Sequence, residues 1–100
     1  MADTFALGRL SDTLDFATVP DLWPVLAERI GGSPSLRVSL EGVKKTNSAA
    51  LALLLEGLEL ASRSGCRLSY VDLPEELLEL ARVSNVEEIL TGREGPPAPE

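Results

Sequence analysis

Apolar and polar residues alternate in two segments of the chain, at positions 35–40 and 66–71. In the first segment, Leu36, Val38 and Leu40 alternate with serine and arginine, and the second segment repeats the pattern. Such alternation buries one face of a strand, whereas a parallel sheet covered on both faces shows near-continuous apolar runs. The pattern therefore predicts two strands of a sheet with helices on one face and water on the other.

The N-terminal third predicts two further strands and then a helix. Residues 4–10 and the shorter segment 13–17 have strand-like composition, with serine and aspartate between them to make a turn. In residues 18–30 the leucines and isoleucine recur four apart, Thr18 suits the N-cap position, and the glycines at 31–32 end the helix. The prolines of this helix lie in or near its first turns, where they are tolerated.

A long helix over residues 47–64, ended by Gly65, separates the two alternating strands. After the second strand, Asp72 is the predicted N-cap of another helix, and a short last helix follows at 86–90. The segment 92–100 is rich in proline and glycine without apolar periodicity, so it is predicted to be a disordered tail.

The predicted domain therefore spans residues 1–91, in the order strand, strand, helix, strand, helix, strand, helix, helix. Strand-helix-strand units of this length join parallel neighbours by right-handed crossovers. We therefore predict an α/β fold with a small mixed four-stranded sheet and helices packed on one face.

The long helix is apolar on more than one side. At about 100° per residue, one face suffices to cover a sheet and comprises Leu51, Leu54, Leu55, Leu58 and Ala61. Ala49, Leu53 and Leu60 fall on the opposite side, where a lone surface helix would be polar. Two interpretations stay open: the last helix or the tail covers these residues, or they form an apolar patch that docks another protein.

Polar residues precede this helix in the run Lys44, Lys45, Thr46, Asn47 and Ser48. Asn47 suits an N-cap, and Ser48 would then lie in the first turn, where free amides and the helix dipole attract an anion. A phosphate on Ser48 would meet those amides, with the two lysines close in sequence. Hydroxyls at a helix start are also ordinary capping residues, so the pattern leaves both roles open.

Composition removes most catalytic and nucleic-acid functions. The formal net charge of -7 argues against a nucleic-acid binder, whose surface would be basic. Without histidine and with Cys66 as the single cysteine, the chain cannot build a zinc site, a disulfide or a Cys/His nucleophile. It also lacks a glycine-rich phosphate loop. We expect no enzyme, no metal and no cofactor.

Targeting signals are absent from the sequence pattern as well. The N-terminus carries acids and no basic region followed by a long apolar run, which argues against a signal peptide. The longest apolar stretch, 49–55, is far shorter than the roughly 20 residues that a membrane-spanning helix needs. We expect a soluble, cytoplasmic protein without direct membrane insertion.

Two motifs around the long helix resemble those of STAS domains. The segment SLEGV at 39–43 stands where the family has a D-L-S-G-V type pattern, and NSAAL at 47–51 stands for D-[ST]-[SA]-G-L. Asn47 replaces the usual aspartate and Ala50 the usual glycine, while Ser48 keeps the hydroxyl at the position that is phosphorylated in anti-sigma-factor antagonists. The resemblance covers about residues 4–90 and implies the family's fold of a sheet with helices.

Within the STAS domains, the runs ALALLLEGLELA and LPEELLELARVSNVEEIL are most similar to the MlaB group. This resemblance implies a non-catalytic accessory subunit that binds the MlaF-like ATPase of an ABC transporter. It would support the assembly and activity of a complex that moves phospholipids between membranes and maintains outer-membrane lipid asymmetry. The subunit would then be peripheral to the inner membrane through its partner.

The alternative within the family is an anti-sigma-factor antagonist, with Ser48 as a candidate phosphosite. An apolar patch on an acidic protein would also permit self-association. The residues predicted to bind the partner are Lys44, Lys45, Thr46, Asn47, Ser48, Ala49, Ala52, Leu53, Glu56 and Leu60.

Overall fold

The computed structural model describes residues 3–92. In chain order its elements are β1 (Asp3–Ala6), a 3₁₀ turn (Leu7–Arg9), β2 (Thr13–Leu14), α1 (Val19–Gly31), β3 (Ser35–Ser39), β4 (Lys45–Thr46), α2 (Ser48–Ser64), β5 (Arg67–Val71), α3 (Glu75–Val83) and α4 (Glu87–Thr91). The α/β class is confirmed. The predicted tail lies outside the described residues except for Gly92, which caps α4 with a φ of 77°.

The strands form two small sheets instead of one. β3 lies between β1 and β5 in a three-stranded sheet, and β2 pairs with β4 in a separate two-stranded one. Every described pairing is parallel, so the predicted mixed four-stranded sheet is wrong in both strand count and direction. The predicted strand 4–10 ends at Ala6 because the chain turns there, with the Leu10 amide donating to the Leu7 carbonyl at 3.0 Å.

The three-stranded sheet has one buried and one bare face, as predicted. Phe5, Val38 and Tyr70 lie in register across the strands, and all three are buried. The adjacent row points to the opposite face, is exposed, and consists of Thr4, Arg37 and Ser69. The helices therefore pack on one side of this sheet, and that side holds the core.

The boundaries of α2 agree with the capping residues read from the sequence. The Asn47 Oδ1 atom accepts a hydrogen bond from the Ala49 amide at 2.8 Å, which makes Asn47 the N-cap. Gly65 ends the helix with a φ of 76°, a left-handed conformation that favours glycine. Both capping predictions are confirmed.

Asp72 does not cap α3, so that prediction is wrong. Pro74 occupies the N-cap position, and Asp72 instead adopts a left-handed φ of 59° in the preceding turn. Its carboxylate accepts a hydrogen bond from the Ser39 hydroxyl at 2.8 Å, which ties the ends of β3 and β5 together. The side chain is therefore occupied by the neighbouring strand and not by the helix.

The second apolar side of α2 is largely covered by α1, which packs along it. Ala49 is 4 % and Leu53 2 % exposed, and Leu60 is half-buried against the core. Of the two interpretations left open, the covered one therefore holds for Ala49 and Leu53, and these two residues do not form a free patch. Within the described residues, the covering element is the first helix and not the last helix, which was the other described candidate.

A buried hydrogen bond joins α2 to the sheet beneath it. The Tyr70 hydroxyl donates to the Leu54 carbonyl at 2.7 Å, and burial raises the pKa of Tyr70 above its usual value, so the hydroxyl keeps its proton. The tyrosine ring can approach because Gly57 has no side chain: a Cβ atom there would collide with the Tyr70 hydroxyl. Helix and sheet are thus joined by a polar contact inside an apolar core.

Replacing Tyr70 by Phe is expected to lower the free energy of unfolding by about 1 kcal/mol, because one buried hydrogen bond is lost while the ring remains. Urea unfolding followed by circular dichroism measures the change. Ser69→Ala is the matched control, since it removes an exposed hydroxyl from the same strand and should change little. A Tyr70→Phe variant as stable as the wild type would contradict a stabilising role for this bond.

Within residues 3–92, none of the helices is both long and apolar enough to cross a membrane.

Candidate functional site

In its N-terminal half, α2 exposes one narrow line of side chains to water. Ser48, Ala52 and Glu56 follow each other at four-residue intervals, which places them on one face of the helix, and all three are exposed. We call these three residues the α2 strip. A depression lies on each side of the strip, one toward α1 and one toward α3.

The depression toward α1 is a small apolar hollow of about 200 Å³. It is lined by Val19 and Trp23 from α1 and by Ala52, Leu53 and Glu56 from α2. Glu56 is the only charged side chain among these lining residues, so the surface offered to a partner is aliphatic and aromatic. Concave apolar surfaces of this kind accept an apolar anchor from a binding partner. We call this depression the hollow.

The depression toward α3 is a larger groove of about 780 Å³. Its lining residues are Thr46, Asn47, Ser48, Glu75, Glu76, Glu79, Leu80 and Val83. The groove therefore brings the start of α2 against one face of α3. Ser48 belongs both to the groove and to the α2 strip, so the two surfaces are continuous.

One wall of the groove is strongly acidic. Glu75, Glu76 and Glu79 come from the first turns of α3, and the Thr46 hydroxyl reaches Glu76 Oε1 at 3.4 Å. A phosphate on Ser48 would place further negative charge in this groove, where carboxylates repel it. The Asn47 side chain also already occupies the Ala49 amide that such a phosphate would use. The groove thus favours a cation over an anion.

The two lysines before α2 hold the loop in place through their backbone amides and not through their side chains. The amides of Lys44 and Lys45 both donate to the Asp12 carbonyl, at 2.7 and 3.1 Å. Lys45 also pairs with Thr13 in the two-stranded sheet. Both lysine side chains are exposed, and neither lines the groove or the hollow.

The ten predicted partner-binding residues therefore separate into groups. The groove contains Thr46, Asn47 and Ser48, and the hollow contains Ala52, Leu53 and Glu56. The remaining four line neither depression: Lys44 and Lys45 are exposed, Ala49 is buried and Leu60 is half-buried. Binding by this set stays a prediction, with Ala52 as its most accessible apolar position.

The α3 wall of the groove is absent from the predicted set. In the sequence, its glutamates look like an ordinary solvated helix face. Their position opposite Ser48 is visible only in the folded chain. The sequence signal that could have marked this wall is Val83, a large apolar residue four positions after Glu79 on the same polar face. It is 80 % exposed.

Metal binding finds no support in the described part of the chain. Among residues 3–92, no group of three or more carboxylate, thiol or imidazole side chains is arranged to hold a metal ion. Cys66 is buried, and burial raises the pKa of its thiol, which keeps it in the neutral form.

Comparison with protein families places the chain in a known family. Residues 8–91 match the family model described as "Mlab, STAS domain", a span that includes the groove, the hollow and the α2 strip. A comparison with curated proteins finds no significant match.

Proposed function

Because this chain belongs to the STAS family of the MlaB type, we propose that it is a non-catalytic subunit that docks on the ATPase of an Mla-type ABC transporter. In that role it supports assembly and activity of a complex that moves phospholipids between membranes. The subunit reaches the inner face of the inner membrane through this partner and makes no membrane insertion of its own.

The hollow is the observation that carries the proposal. It is an apolar depression directly beside Ala52, on the helix that follows the family's motif loop. The α2 strip flanks it with small and polar side chains, so a partner helix can approach closely. An apolar anchor in the hollow, surrounded by polar contacts along the strip, has the composition of a specific protein interface.

The alternative function, an anti-sigma-factor antagonist that is phosphorylated on Ser48, receives less support from the same residues. Ser48 is exposed and available to a kinase, but its groove already contains the carboxylates of Glu75, Glu76 and Glu79. We therefore propose the docking role and not phosphorylation of Ser48 as the primary function.

Ala52→Glu tests the docking role. A carboxylate at the rim of the hollow would have to be desolvated against an apolar anchor, so we expect the ATPase to bind at least about tenfold more weakly. The two subunits are co-expressed, and the ATPase recovered with each variant is quantified. Titration of purified subunits then gives the Kd.

Ser62→Glu is the matched control, because it adds the same charge at an exposed position of α2 that lines neither depression. It should recover as much ATPase as the wild type. No co-purification of the wild type, or equal binding by Ala52→Glu, would contradict the proposal.

A further inference from the structure

We propose that the groove between α2 and α3 receives a cationic segment of the same ATPase, which places a lysine or arginine against its acidic wall and an apolar side chain against Leu80 and Val83. This inference rests on the proposed function and adds the chemistry of the contact. The hollow and the groove would then bind two neighbouring parts of one partner surface, on either side of the α2 strip.

The apolar part of the groove indicates a macromolecular occupant. Val83 is largely exposed at the end of α3, and Leu80 lies half-buried one turn before it. An exposed large aliphatic side chain gains from burial against a partner. Together the two residues form an apolar surface beside the acidic wall, as in interfaces that surround an apolar contact with charged groups.

The charges specify the sign of that occupant. Among the described residues, Glu75 and Glu76 form no ion pair, and Glu79 has only a long contact of 3.9 Å with Arg82. Arg82 lies closer to Glu87, at 3.3 Å, which directs its guanidinium toward α4. Arg82 is thus shared between the acidic wall and Glu87, while Glu75 and Glu76 have no ion-pair partner among the described residues, so a basic side chain of a partner is their complement.

Other occupants fit the groove less well. The carboxylates are not grouped as metal ligands within residues 3–92. Nucleic acid and anionic lipid headgroups carry the same sign of charge as the wall, so they would be repelled. A protein segment combining one or two basic residues with an apolar one satisfies both parts of the groove.

The test compares two variants that lose the same charge. Glu75→Gln/Glu76→Gln/Glu79→Gln neutralises the acidic wall, while Glu28→Gln/Glu41→Gln/Glu88→Gln neutralises three exposed glutamates that do not line the groove. Association of each with the purified Mla-type ATPase of the same organism is followed by stopped-flow fluorescence at low and high salt. If the first triple variant loses helical signal, the single variant Glu79→Gln replaces it, with Glu28→Gln as its control.

We expect the groove variant to associate about tenfold more slowly at low salt and to lose most of its salt dependence, because electrostatic steering acts on the association rate. The control variant should stay within about twofold of the wild type. Equal rates for the two triple variants would overturn this inference and leave the docking proposal standing. A wild type that forms no complex with the ATPase would overturn both.

Discussion

Leu53→Glu is expected to destabilise the fold severely and not simply to block docking. The Leu53 side chain points from α2 toward α1 and is almost completely buried. Val19 and Trp23 of α1 line the hollow beside it. An uncompensated carboxylate in such a place costs about 3–5 kcal/mol. The total stability of a typical domain is only about 5–15 kcal/mol, so the substitution removes a large fraction of it.

Urea unfolding followed by circular dichroism measures this loss, and Ala52→Glu is the matched control. Ala52 is the preceding residue but is exposed, so the same charge there should change the free energy of unfolding by no more than about 0.5 kcal/mol. A Leu53→Glu protein that unfolds at the wild-type midpoint would contradict the packing of α1 over α2. The comparison also shows why Ala52, and not Leu53, is the position at which docking should be tested.

Gly8→Ala is expected to lower the free energy of unfolding by about 3 kcal/mol, the upper end of the usual cost of overpacking. A Cβ atom on Gly8 would collide with the Glu41 carbonyl oxygen and lie 3.0 Å from its carbonyl carbon. It would also lie 3.3 Å from the Val43 amide nitrogen. These obstacles are backbone atoms, so a side-chain rotation cannot relieve them and the loop before β4 must move.

Gly31→Ala provides the control in the same measurement. A Cβ atom on Gly31 meets nothing within 4 Å, and the residue lies at the end of α1. Alanine there should raise the free energy of unfolding by about 0.4–1 kcal/mol, because it restricts the unfolded chain and favours the helix. Equal stability of the two variants would contradict the close approach of Gly8 to the Glu41 loop.

Local features of the fold could be predicted because they depend only on residues that are close together in the sequence. Asn47 and Gly65 delimit α2 through backbone chemistry that involves only adjacent positions. The alternation around Val38 and Tyr70 likewise identified two strands and the bare face of their sheet. Shorter elements gave no such signal: β4 contains two residues and is held by its partner strand, not by its own pattern.

The second apolar side of α2 could not be assigned from the sequence. A helix between a sheet and another helix has the same pattern as a helix between a sheet and a foreign protein, because both bury two sides. The sequence therefore leaves the exposure of Leu53 open, and the packing of α1 against α2 shows that it is buried. In the folded chain, Ala52 is exposed and the next residue, Leu53, is buried. A helical wheel alone does not predict which of the two is covered by another element.

The groove was even less accessible to prediction. Its walls come from residues 46–48 and from α3, which are far apart in the sequence and meet only in the folded chain. Asn47 and Ser48 mark the first wall through their capping chemistry, whereas the glutamates of the second have the composition of an ordinary solvated helix face. Tertiary proximity, and not residue type, makes Glu76 part of the same surface as Ser48.

Pairing of β2 with β4 has a consequence for the order of events during synthesis. Thr13 and Leu14 hold Lys45 and Thr46 in place, so one wall of the groove depends on the first strands of the chain. The opposite wall is α3, which leaves the ribosome much later because translation proceeds from the N-terminus. A nascent or truncated chain that lacks α3 has no groove. A partner that binds in the groove therefore requires a chain that already contains α3.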